Sequence, residues 1–117
     1  MFVATIIVGV VLALAFLGAG TPKIVAMKQM RDSAEHFGLS INAYRVIGAL
    51  EVAAAAGLLI GLGVAALGVA AAIGLVALMI GALIFHVRAG DPAKMWAPVP
   101  VLAVLAVVYI VLRLASR

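Results

Sequence analysis

Apolar positions run almost unbroken from Phe2 to Gly20, from Ile41 to Val87 and from Ala97 to Leu114. The first run holds one polar side chain, Thr5. Its nineteen residues predict a helix about 28 Å long, close to the hydrocarbon thickness of a bilayer. Thr21-Pro22-Lys23 marks the end of this helix or a kink near its end. The second run is too long for one span, because as a single helix it would reach roughly 70 Å. It must fold back once, and Gly61-Leu62-Gly63 is the expected turn. Arg88-Ala89-Gly90-Asp91-Pro92 is a second turn, and Trp96 follows where an interfacial anchor sits. Pro98 and Pro100 fall in or just before the first turn of the last helix, where a missing N–H costs little. The spans are expected at about 2–20, 42–60, 64–87 and 97–114.

Residues 24–38 read differently. Met27, Met30, Ala34 and Phe37 recur at helical spacing, with Lys28, Gln29, Arg31, Asp32 and Glu35 between them. This predicts a short amphipathic helix lying at the membrane surface, with Gly38 as its stop and Ser40 as the N-cap of the next helix. The fold class is therefore all-α: one transmembrane domain over residues 1–117, an integral membrane four-helix bundle with a short interfacial helix between helices one and two. Ala49, Ala53, Gly57 and Gly61 recur every four residues, and Ala70, Gly74, Ala77 and Gly81 by four and three. Such small-residue seams let helix backbones approach in lipid, and both are expected to be packing faces.

Composition sharpens the membrane reading. The chain is 68% hydrophobic and 10% charged, and a soluble domain of this size has too little interior to hide that much apolar surface. A net charge of +4 comes from scattered basic residues. They form no stripe of the kind that tracks phosphates, so nucleic acid is not an expected partner and lipid headgroups are. The absence of cysteine removes disulfides and a dithiol redox centre. No Lys or Arg precedes the first apolar run, so it reads as a retained helix rather than a secretory signal. Lys23, Lys28, Arg31, Arg45, Arg88 and Lys94 share one side of the membrane, against Arg113 and Arg117 on the other. The positive-inside rule then puts both termini outside the cytoplasm, in a cell inner or plasma membrane.

Four ionisable residues need an account. Glu51 lies inside helix two among apolar neighbours. A carboxyl in lipid is costly, so it should face the bundle interior, either as a proton-exchanging or ligand-binding group or as a structural hydrogen-bonding lock. Arg45, six residues earlier, is rotated away from it, which suits a headgroup contact or a bond to another helix. His86 ends helix three on the same membrane side as Lys23 and Arg45. It is a candidate proton relay or ligand contact, or a residue that complements the helix dipole. Lys23 is either a snorkelling lysine or a cation for Glu51 or for an anionic ligand. Haem is disfavoured because the second imidazole, His36, lies in the surface segment. No metal-ligand spacing, nucleophile elbow or phosphate loop is present.

Phe16 to Lys23, read as F-x-G-x-G-x-x-K, resembles the end of the first helix in the DoxX-like family of small four-helix membrane proteins. Arg45 to Glu51, as R-x-x-G-x-x-E with Ala56-Gly57-Leu58 after it, resembles that family's second helix. Gly81-Ala82 to His86 with Arg88, Gly90 and Asp91 resembles the end of its third. The resemblance makes Lys23, Arg45, Glu51 and His86 candidate ligand-binding positions without assigning them roles. It implies an accessory or assembly subunit, associated with a membrane-protein partner or a further copy of itself in a quinone or sulfur redox system. A second reading is a binding site or enzyme for a small hydrophobic molecule such as a quinone, using Glu51 and His86. A third is a proton-coupled transporter. Small multidrug transporters share the length and the single buried Glu, but they ask for it in the first helix with an aromatic cavity, and aromatics here are 6%. The sequence does not decide whether the chain is an enzyme.

Overall fold

The computed structural model describes residues 2–115; Arg117, counted above in the charge balance, lies outside them. The described residues form α1 (Phe2–Ile24), α2 (Lys28–His36), α3 (Ile41–Ile60), α4 (Ala65–Arg88), α5 (Ala93–Trp96) and α6 (Pro98–Ala115). Four helices are long and apolar enough to cross a membrane: α1, α3, α4, and α6 taken with α5. The protein is an all-α integral membrane bundle with α2 as the shorter helix between its first two spans, as the hydrophobic pattern predicts.

Each span packs on the next, α1 on α3, α3 on α4 and α4 on α6, and α6 closes the ring onto α1. The inward faces repeat by three and four residues, which keeps one helix face turned to its neighbours. On α1 they are Thr5, Gly9, Leu12, Phe16 and Gly20. On α3 they are Tyr44, Gly48, Glu51, Ala55 and Leu58, and on α4 Gly68, Ala72, Leu75 and Met79. Leu12, Phe16, Leu58, Leu75 and Tyr109 form the centre of the core. Outward positions such as Val3, Val46, Ile73, Val104 and Val111 are exposed and apolar, as lipid-facing positions should be.

The predicted seams are only partly packing faces. Gly57 and Gly61 are buried, but Ala49 and Ala53 are exposed. On α4, Ala70, Gly74 and Ala77 are exposed, and nothing lies within 4 Å of a Cβ built on Gly74 or Gly81. The helix turns a stripe offset from theirs toward α3 and α6, because Leu75 and Met79 fill the ring while the small residues leave space elsewhere. The backbone approaches fall at other pairs. A Cβ on Gly20 would stand 2.7 Å from the carbonyl oxygen of Gly48, and one on Gly61 would run into the backbone of Gly68. Such contacts are what hold helices together where lipid removes the hydrophobic drive.

Helix ends also differ from expectation. α1 continues through Pro22 to Ile24 rather than stopping at Gly20. Proline removes one N–H, but the carbonyls of Thr21, Pro22 and Lys23 still find donors in Val25, Met27 and Ala26. The Ala26 and Met27 bonds form a Schellman cap, with Ala26 in the left-handed region at φ 54°. That turn confines the interfacial helix to Lys28–His36, shorter than the 24–38 segment. α2 and α4 end in the same motif, with Gly38 and Gly90 each at φ 73°. Ser40 caps α3 by accepting from the Ala43 N–H at 3.1 Å. The reversal between α3 and α4 runs through Gly61-Leu62-Gly63.

Candidate functional site

The close approach of α1 and α3 sets Lys23 against Gly48 and Glu51 against Gly20. Lys23 on α1 and Glu51 on α3 are brought together, and the ammonium donates to Glu51 Oε1 at 2.5 Å. Glu51 is 2% exposed and Lys23 17%. The lysine also stands 5.1 Å from the centre of the Tyr44 ring, a cation–π distance. Glu51 thus faces the interior with a cation beside it. Among the described residues, its second oxygen, Oε2, is buried without a hydrogen-bond partner. Burying an ionised carboxylate demands such a cation, and an orphaned oxygen beside it is a place where a donor would be stabilising.

Arg45 is not part of this group. Its side chain is exposed and donates from Nε to the Ile24 carbonyl at 2.9 Å, helping to close the C-terminus of α1. It is a bond to another helix, and nothing brings it to Glu51.

His86 sits near the C-terminus of α4, and its position follows from the cap there. In a Schellman motif the second residue past the helix folds back beside the third residue from its end, and an apolar contact often fills that place. Here the two residues are Asp91 and His86, whose Oδ2 and Nδ1 lie 2.6 Å apart. The other oxygen of Asp91 meets Nε2 of His36, on α2, also at 2.6 Å. One carboxylate therefore ties the interfacial helix to the end of α4. These two hydrogen bonds, that from His36 first, hold the Asp91 carboxyl below the usual carboxylate range. Phe37 adds an edge-on contact with the His86 ring at 4.9 Å and a tilted one with Phe85 at 6.3 Å.

Between these groups lies a cavity of about 390 Å³, within the range of small-molecule pockets. Lys23, Tyr44, Glu51 and His86 line its polar part. Phe16, Ile47, Leu78, Met79 and Leu102 form apolar walls, and Phe37 and Leu39 reach it from the α2–α3 connection. Ala77, Gly81 and Ala82 of α4 make the room, for here the small residues leave a gap instead of a seam. Of the four sequence candidates, the structure brings Lys23, Glu51 and His86 to one cavity and leaves Arg45 outside it. Among the described residues, no group of three or more His, Asp or Glu is placed to hold a metal ion.

Asp91, Tyr44, His36 and Phe37 are members of the site that the sequence reading did not single out. A signal existed for Asp91: a glycine stop after a helix-terminal histidine, with an acidic residue next, is what a Schellman turn needs to pair the two. Nothing in the sequence brings His36 to the same carboxylate, because that contact spans fifty-five positions.

Arg113 and Tyr109 mark the opposite end of the bundle. Arg113, counted in the sequence as a tail charge, is buried and donates from Nε to the Gly61 carbonyl at 2.7 Å. The Tyr109 hydroxyl donates to the Leu58 carbonyl at 2.8 Å. Both act on the carbonyls that the end of α3 leaves open.

The DoxX-like family model matches residues 7–108, a stretch that includes Lys23, Glu51, His86 and Asp91. No curated protein and no solved structure matches the chain.

Proposed function

The chain belongs to the DoxX-like family, and we propose that it holds a small, mostly apolar molecule with a polar head in the cavity among α1, α3, α4 and α6. One observation carries this reading. A cavity of about 390 Å³ is lined mostly by apolar side chains together with Lys23, Tyr44, Glu51 and His86, and the Glu51 carboxylate is paired with Lys23. A ligand of lipid-soluble quinone or hydroquinone type suits that lining, with a ring oxygen toward the Lys23 ammonium and its tail along the apolar walls. In this role the chain serves a membrane redox system as the subunit that keeps its hydrophobic carrier in place, which joins the accessory and the ligand-binding readings. Proton-coupled export is less well supported. A transport carboxyl must open to both sides, whereas Glu51 is closed on Lys23 and the far end is sealed by Tyr109 and Arg113. The end carrying α2 faces the cytoplasm in this proposal, since Lys28, Arg31, Arg88 and Lys94 are exposed there.

Native mass spectrometry of the protein in mild detergent tests the reading. A bound small molecule is expected on the wild type, or is taken up from an added series of alkyl quinones and alkyl phenols. It should be lost in Gly81→Leu, which fills the cavity at a position with open space around it. A wild type that arrives bare and takes up none of the series would refute the proposal.

A further inference from the structure

The Asp91 contact has a chemical consequence for the cavity. An ionised carboxylate only accepts hydrogen bonds, so both ring nitrogens that face it must carry protons. For His86 that nitrogen is Nδ1, at 2.6 Å from Oδ2. A neutral imidazole protonated at Nδ1 has its lone pair on Nε2. Among the described residues the His86 side chain makes no hydrogen bond other than that to Asp91, and His86 lines the cavity. The ring is also fixed in orientation, by Phe37 edge-on at 4.9 Å and by Asp91, itself held by His36 at 2.6 Å. A carboxylate that fixes the tautomer of an imidazole and leaves the far nitrogen as an acceptor is a known physical device for presenting a base.

We propose that Asp91 is a positioning residue which holds His86 with Nε2 as a hydrogen-bond acceptor toward the cavity, so that the cavity selects molecules whose head carries an O–H donor, such as a phenol or a hydroquinone ring, over molecules with acceptors alone. This rests on the ligand-binding reading of the cavity and deepens it. Glu51 and Lys23 also line the cavity, and Lys23 Nζ has protons beyond the one given to Glu51. A head with an O–H can donate to His86 Nε2 and still accept through its oxygen. A fully oxidised quinone, which only accepts, would leave the His86 nitrogen without a donor, and an unpaired polar group in a desolvated site discriminates strongly.

Two measurements on the intact protein test this at mildly alkaline pH, where imidazole is ordinarily neutral. The first is ¹⁵N NMR of histidine-labelled wild-type protein, with the His86 signals assigned by their loss in His86→Gln. The expected spectrum has a protonated Nδ1 and an unprotonated Nε2. A proton on Nε2 would overturn the proposal without touching the cavity reading. The second compares 4-octylphenol with 4-octylanisole, which differ only by a methyl on the oxygen. The phenol is expected to bind the wild type on the order of tenfold more tightly. In Asp91→Asn that ratio should fall to within about twofold, with the anisole affinity unchanged. Equal binding of the two by the wild type defeats the donor preference while the cavity reading stands. A ratio that survives in Asp91→Asn shows that the preference does not pass through Asp91. Binding of neither molecule overturns both readings. The wild-type comparison and spectrum decide the matter even if Asp91→Asn does not fold.

Discussion

At the end of the bundle where α3 turns into α4, the long polar side chains of α6 reach backbone. Tyr109 donates to the Leu58 carbonyl and Arg113 to that of Gly61. At the end beneath α2 Arg45 also reaches a backbone carbonyl, but Lys23 bonds Glu51, and Asp91 bonds both His36 and His86. Glycine shows the same contrast. Along α4, Gly68 admits Tyr109 and the backbone of Gly61 near the first end, while Gly81 near the second borders empty space, although Gly20 and Gly48 of α1 and α3 pack closely there. One end is closed because its polar groups satisfy the helix termini, and small residues there are filled by a partner. The other keeps a cavity because its polar groups stand around a gap that no side chain enters. Small residues in a membrane helix therefore have two opposite uses, and the element facing them decides which applies.

The strongest way to break this contrast is at the closed end. Gly61→Val puts a side chain into the backbone of Gly68 and should cost about 3 kcal/mol or more, read as a large loss of thermal stability in detergent. Gly81→Leu, the same kind of change at the open end, should leave the melting temperature nearly unchanged. Equal losses would mean that the two ends are not packed differently.

Next comes the buried pair. Lys23→Met leaves Glu51 without its cation and should cost about 3 kcal/mol. The double variant Lys23→Met with Glu51→Leu should recover much of that, since replacing both partners removes the unpaired charge. A double variant as unstable as the single one would show that the pair acts through more than mutual compensation.

A smaller effect is expected at Ala26. It occupies the left-handed cap position that Gly38 and Gly90 fill in the other two Schellman caps. Ala26→Gly should raise stability by about 1 kcal/mol by removing that steric strain, visible as a modest upward shift in denaturation by heat.

The smallest effect concerns pH. The Asp91 carboxyl is held below its usual range by hydrogen bonds from His36 and then His86. A depressed carboxylate contributes stability above its unfolded value and loses it as pH falls through the folded one. His36 on α2 and His86 on α4 are the titratable groups facing it. A nitroxide at Gln29 should therefore become mobile only when pH drops below the ordinary carboxylate range, and should be mobile at neutral pH in Asp91→Ala. A label indifferent to both changes would show that Asp91 does not tether α2.

The sequence by itself determined the membrane class, the four spans, the interfacial helix and the turn at Gly61–Gly63. These depend on local quantities: run length, periodicity, and glycine or proline at a helix end. It also determined that Glu51 must face inward, because lipid leaves a carboxyl no other low-energy place. The tertiary structure alone decided who answers Glu51. Lys23 and Arg45 were both cations near the same membrane surface, and only the contact of Gly20 with Gly48 brings the first in while the second bonds Ile24. The small residues of α4 were read as a seam because spacing records that a position is small and not what lies opposite. His36, Asp91 and the buried Arg113 were illegible for a related reason. Pairing between helices depends on their relative rotation, and rotation is fixed by the packing of the whole ring rather than by any one segment.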